Sequence, residues 1–133
     1  MKTTLCLMLT LTTVAAFGSF QSLIPNGAKV PDPCSTTGGL WSGVGHLVPG
    51  GGGLRNPFGS DFQLAGHAWN EILCKKDSDG DGKTNGEELG DPECGWSTTN
   101  GASLETPTGQ PGICEPIGSP TCASQNFACP TVV

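Results

Sequence analysis

Positive charge is scarce in this chain. Six lysines and arginines stand against twelve aspartates and glutamates, for a formal net charge of −6. Without a basic patch, nucleic acid and anionic lipid are excluded as natural partners. Long apolar runs are missing after the first residues, so membrane insertion is not expected. Histidine is nearly absent too, with only His46 and His67. Two histidines cannot make a transition-metal site once the cysteines are committed to disulfides. His46 is therefore expected to be a loop hydrogen-bonding residue and His67 a helix-surface residue. Catalytic constellations are missing as well. No G-x-S-x-G elbow occurs, and the glycines at 50–53 do not lead into Gly-Lys-Ser/Thr. Carboxylates that could serve glycoside chemistry lie inside an acidic loop that a cation would occupy. The chain is not expected to be an enzyme. No N-x-Ser/Thr sequon is present either.

Large apolar side chains are few, while glycine (21) and proline (11) are abundant. A small domain with so thin a core needs staples. Lys2, the apolar Leu5–Leu11 run and the small residues after it read as a signal peptide over residues 1–18, cleaved after Ala16 or Gly18. The protein is thus expected to be secreted. Cys6 would leave with the signal. That leaves Cys34, Cys74, Cys94, Cys114, Cys122 and Cys129 for an oxidising compartment, and six half-cystines allow 15 pairings.

Residues 77–88 carry the clearest chemistry. In a twelve-position loop, Asp77, Asp79 and Asp81 fill positions 1, 3 and 5. Gly82 takes the sharp turn at position 6, and Lys83 offers its carbonyl at position 7. Asn85 stands at position 9, and Glu88 is the two-oxygen ligand at position 12. All are hard oxygen donors, which select Ca²⁺ over zinc or copper. Upstream, Phe62, Ala65, Trp69, Ile72 and Leu73 recur at helical spacing and predict one main helix over 61–74, capped by Ser60. Downstream, Gly90 and Asp91-Pro92 leave room for about one turn of exit helix. A lone loop with so short an exit helix suits a permanent structural ion better than a sensor. Brief strands are expected at 28–30 and 40–44. From Trp96 onward the chain has little periodicity, and only its cysteines are expected to order it. Trp69 is expected in the core, while Trp41 and Trp96 are left open.

Several motifs then occur in a fixed order. They are Ile24-Pro25-Asn26-Gly27, Trp41-x-Gly43-Val44-Gly45-His46, Asn56-Pro57-Phe58-Gly59-x-Asp61-Phe62, Ala65-Gly66-x-x-Trp69, and the loop running through Gly90-Asp91-Pro92-x-Cys94-x-Trp96. Together they resemble temptins, small secreted proteins of marine molluscs that act as water-borne attractants with other pheromone proteins. The resemblance covers about residues 22–116. It implies disulfides Cys74–Cys94 and Cys34–Cys114, which leaves Cys122 and Cys129 to pair locally. The expected architecture is a small, largely irregular α+β domain over 20–116, stapled by disulfides around one helix and one EF-hand-like calcium loop. A C-terminal tail would follow over 117–133. The partners implied are other secreted proteins or a cell-surface receptor. A second function class, a structural matrix or biomineral component, also suits an acidic calcium binder. Such proteins more often carry long acidic runs, which this chain lacks.

Overall fold

Asn56 sets the helix that follows it. Its Oδ1 accepts the Gly59 amide at 2.9 Å, and Pro57 occupies the first helical position, where a missing N–H costs nothing. In the computed structural model, which describes residues 20–131, this helix is α1 (Pro57–Leu64). Phe58 and Phe62, one turn apart, face inward and stack with ring centroids 6.0 Å apart. The expected signal peptide, 1–18, lies outside the described residues.

The single helix predicted over 61–74 is two. Gly66 and His67 both take left-handed backbone (φ 72° and 57°), which ends α1. Asn70 then starts a second helix, α2 (Glu71–Lys75), its Oδ1 accepting the Leu73 amide at 2.8 Å. The break rotates the downstream face. Leu73 is buried as expected, but Ile72 is 83% exposed. Ser60 is an interior residue of α1 and not its cap. His67 sits past the helix end, stacked on Phe20 with centroids 4.4 Å apart.

The third helix, α3 (Asn85–Leu89), is the one-turn exit helix the sequence predicts. Thr84 and Glu87 form a reciprocal capping box, and Gly90 closes the helix in left-handed backbone (φ 81°). α2 and α3 pack against each other. Gly86 makes this possible, since a Cβ there would lie 2.3 Å from the Cys74 sulfur.

The expected strands do not form among the described residues. Two isolated antiparallel bridges, Pro31 with Leu40 and His46 with Arg55, are all the β-pairing there is among them. The fold is therefore irregular with short helices, and the α+β assignment is corrected. Side chains replace the ladder. Asn56 Nδ2 donates to the Val44 and His46 carbonyls at 2.8 and 2.9 Å. Gln110 Nε2 donates to the Val44 carbonyl at 2.8 Å, and Trp41 Nε1 to the Gly43 and His46 carbonyls. Backbone groups in a glycine-rich core must find partners somewhere, and these three side chains supply them.

The core gathers Val30, Trp41, Phe58, Leu89 and Ile113, all essentially inaccessible to solvent. Trp41 is thus a core residue. Ile113 comes from the stretch expected to stay unordered. Residues 109–114 are in fact all buried. The predicted disulfides are corrected in two of three cases: Cys34 pairs with Cys129, and Cys114 with Cys122. After Cys114 the chain turns back through a 3₁₀ turn at Pro120–Cys122, which brings Cys122 to a Cα–Cα distance of 5.5 Å from Cys114. Gln125 then bonds both the N–H and the C=O of Cys114. Phe127 meets Trp41 edge-on at 6.0 Å, which carries Cys129 back to Cys34. The expected separate tail over 117–133 is thus stitched into the domain as far as it is described.

Candidate metal centre

Lys76 ends α2 and α3 begins at Asn85, so the acidic loop is the bridge between two packed helices. The Asn85 amide donates to the Lys76 carbonyl at 2.7 Å and closes the loop's neck. Below the neck, Cys74 and Cys94 are bonded, with Cα atoms 5.8 Å apart, as the family resemblance implied. Asp91 anchors the far side. Its buried carboxylate accepts Trp69 Nε1 at 2.9 Å and the backbone amides of Gly95 and Trp96. Trp69 therefore reads as a half-buried strut with a polar handle, and Trp96 is held by its backbone.

Within the loop the backbone wraps around the carboxylates. Asp77 Oδ1 accepts the Gly80 amide at 2.8 Å, and its Oδ2 accepts the Gly82 amide at 2.9 Å. Asp79 Oδ1 accepts from the Asp81 amide, and Asp81 Oδ1 from the Lys83 amide. One oxygen from each of Asp77, Asp79 and Asp81 lies within 4.8 Å of the others. Glu88 rises from α3 toward them. It is 1% exposed, and its Oε2 is buried without a hydrogen-bond partner, as is Asp79 Oδ2. Burial first, then Asp79, Asp81 and Glu115, pushes the Glu88 carboxyl up to about 10 when no cation is present. Burial and the neighbouring Asp81 and Asp77 likewise lift Asp79 to about 8. Buried carboxylates without donors are costly, and a hard divalent cation removes that cost. The donor set fits calcium on this ground: all oxygen, several carboxylates, and two buried oxygens with nothing else to bind.

Asn85 does not fit the role expected of it. Its side chain turns inward, where Nδ2 donates to the Leu73 carbonyl and to Ser78 Oγ, both at 2.8 Å. Its Oδ1 accepts the Ser78 amide at 3.3 Å. Asn85 is fully buried and ties the loop to α2. The physical reason is its place at the first position of α3, where its side chain meets the end of α2. Lys83 is exposed, and its ammonium lies close enough to Glu115 to act on it, which leaves only its carbonyl for the loop.

Sequence reasoning missed one acidic residue of this neighbourhood. Glu115 follows Cys114, far from the loop in sequence, yet burial first and then Asp81 push its carboxyl up, and it in turn pushes up Glu88. No local pattern marks it, because its position depends on how the segment 108–115 lies across α3.

A family model described as Temptin C-terminal matches residues 14–113. Temptin of Aplysia californica is 49% identical over 100 residues, covering 75% of this chain and 79% of that protein. The chain belongs to the temptin family. No solved structure matches it. The temptin match takes in α1, α2, the acidic loop, α3 and the Cys74–Cys94 bridge. Cys114, Glu115, Cys122 and Cys129 fall beyond the matched temptin segment, and there the resemblance-based pairing failed. No helix among the described residues is long and apolar enough to cross a membrane.

Proposed function

We propose that this protein is a secreted, calcium-stabilised recognition protein, a temptin-like attractant component that acts through other secreted proteins or a cell-surface receptor. Membership of the temptin family supports the recognition role. The observation that carries the calcium reading is Glu88, a buried carboxylate beside Asp79 and Asp81 with one oxygen unpartnered. The ion is held by Asp77, Asp79, Asp81, the Lys83 carbonyl and Glu88. It neutralises the carboxylates and so fixes the surface between α2 and α3.

Calorimetric titration of the secreted protein should show one Ca²⁺ bound with a dissociation constant of roughly 10⁻⁴ to 10⁻³ M, the range of extracellular modules. At ten times that concentration the ion stabilises the fold by about 1.4 kcal/mol. Glu88→Ala should abolish the uptake, and uptake unchanged in that variant would remove Glu88 from the site. On the recognition side, the disulfide-intact protein immobilised on a bead should retain specific proteins from the fluid into which it is secreted. Retention no greater than on a bead carrying the reduced, alkylated protein would contradict the recognition role.

A further inference from the structure

We propose that Glu115 is a ligand of the calcium centre, a carboxylate supplied from outside the loop by the segment 108–115. This rests on the calcium reading above. The twelve-residue pattern offers position 9 as a ligand, but Asn85 there is committed to Leu73 and Ser78. Calcium takes six to eight oxygens, so a further donor is needed from elsewhere or from water.

The segment 108–115 is placed to provide it. The Thr108 and Gly109 amides both donate to the Glu88 carbonyl, which lays this segment along α3. Gly109 marks where the two carboxylates meet. A Cβ on it would lie 2.7 Å from Glu88 Oε1 and 3.4 Å from Glu115 Oε1, so both oxygens border the same small space. Glu115 is held there. Its Oε1 accepts the Gln110 amide at 3.0 Å, and Gln110 is itself buried and bonded to Val44. Its backbone neighbour Cys114 is fixed by the bond to Cys122 and by both hydrogen bonds of Gln125. No protein donor among the described residues reaches Glu115 Oε2. The independent sign of a cation site is Glu88 Oε2, buried, unpartnered and on the residue that Glu115 faces. The charges agree with this placement: Glu115 acts on Glu88, and Asp81 and Lys83 of the loop both act on Glu115.

The consequence is a clasp. An ion shared by the loop and Glu115 ties α3 to the segment that carries the Cys114–Cys122 bridge. The loop then ceases to be a self-contained calcium module.

The test compares Glu115→Gln with Glu93→Gln in the full secreted protein. Both remove one negative charge, but Glu93 is exposed and outside the site. Calcium titration by calorimetry should show Glu115→Gln weakened about tenfold or more and Glu93→Gln nearly unchanged. Terbium, used as a calcium substitute, provides the second readout. Its luminescence lifetimes in H₂O and D₂O count ion-bound waters, and Glu115→Ala, which leaves no side-chain oxygen there, should add about one. Circular dichroism checks that each variant is folded. Equal affinities for Glu115→Gln and Glu93→Gln would overturn the proposal. So would a Glu115→Ala that weakens binding with an unchanged water count, since that outcome means a field effect without ligation. Wild-type protein that takes up no calcium would overturn the metal centre itself, a failure distinct from either of these.

Discussion

Asn56 shows how much structure one polar side chain holds in a chain with so little apolar volume. Its amide caps α1 and satisfies two carbonyls of the glycine-rich segment before it. Gly112 lies against it so closely that a Cβ would sit 2.1 Å from the amide. Asn56→Ala removes the cap and two buried hydrogen bonds together. The Val44 and His46 carbonyls keep second donors in Gln110 and Trp41, which limits the damage. The expected cost is about 2–3 kcal/mol. Urea unfolding should show the midpoint lowered with an unchanged slope. A loss under about 0.5 kcal/mol, the size of an ordinary surface change, would mean that Asn56 is not the hub described here. The sequence predicts the cap at Ser60 and leaves Asn56 unmarked. Ser60 met the simple cap rule, whereas Asn56 is recognised only with its carbonyl partners in view.

At the scale of elements, the acidic loop and its two flanking helices make one unit held at three levels. The Cys74–Cys94 bond closes a separation of 20 residues, worth about 3 kcal/mol through the unfolded state. The neck hydrogen bond from Asn85 to Lys76 and the capping box of α3 come next. The proposed ion is the third. Chelation should therefore loosen the loop without unfolding the domain, because the bridge holds its ends while four carboxylates repel. Hydrogen exchange with and without chelator should accelerate amides in 78–88 well beyond those of the core around Val30, Trp41 and Ile113. Uniform acceleration across both groups would mean that calcium holds the whole fold, not just the loop. The acidic loop and its exit helix were legible in the sequence, since they follow from local chemistry within a dozen residues, but the inward turn of Asn85 was not. The helix before it was legible in part. The apolar spacing ran on through Gly66, but left-handed backbone at 66–67 outweighed that spacing.

Across the whole molecule, the last described residues hold the first. Cys34–Cys129 spans 95 residues, and Phe127 closes over Trp41. In the chain-entropy account, a bridge of this span contributes about 4.5 kcal/mol, more than either shorter one. Non-reducing peptide mapping should recover Cys34 with Cys129 and Cys114 with Cys122. The paired Cys34→Ser, Cys129→Ser variant should lose several kcal/mol of stability, while Cys74–Cys94 still forms. Recovery of a Cys34–Cys114 peptide would refute the fold of the C-terminal segment.

Local chemistry in the sequence marked the acidic loop and the short exit helix, and motifs in a fixed order marked the family and, through it, the bridge that brackets them. Each depends on residues close in the chain or on motifs in a fixed order. Tertiary structure alone decided the partners of Cys34 and Cys114, the burial of residues 109–114, the inward turn of Asn85 and the approach of Glu115 to Glu88. Those contacts join segments tens of residues apart. In a chain with 21 glycines and almost no regular pairing, no periodic pattern records which segments meet. The meeting is set by which few large side chains can fill one small core, and by which polar side chains can satisfy the carbonyls left around it.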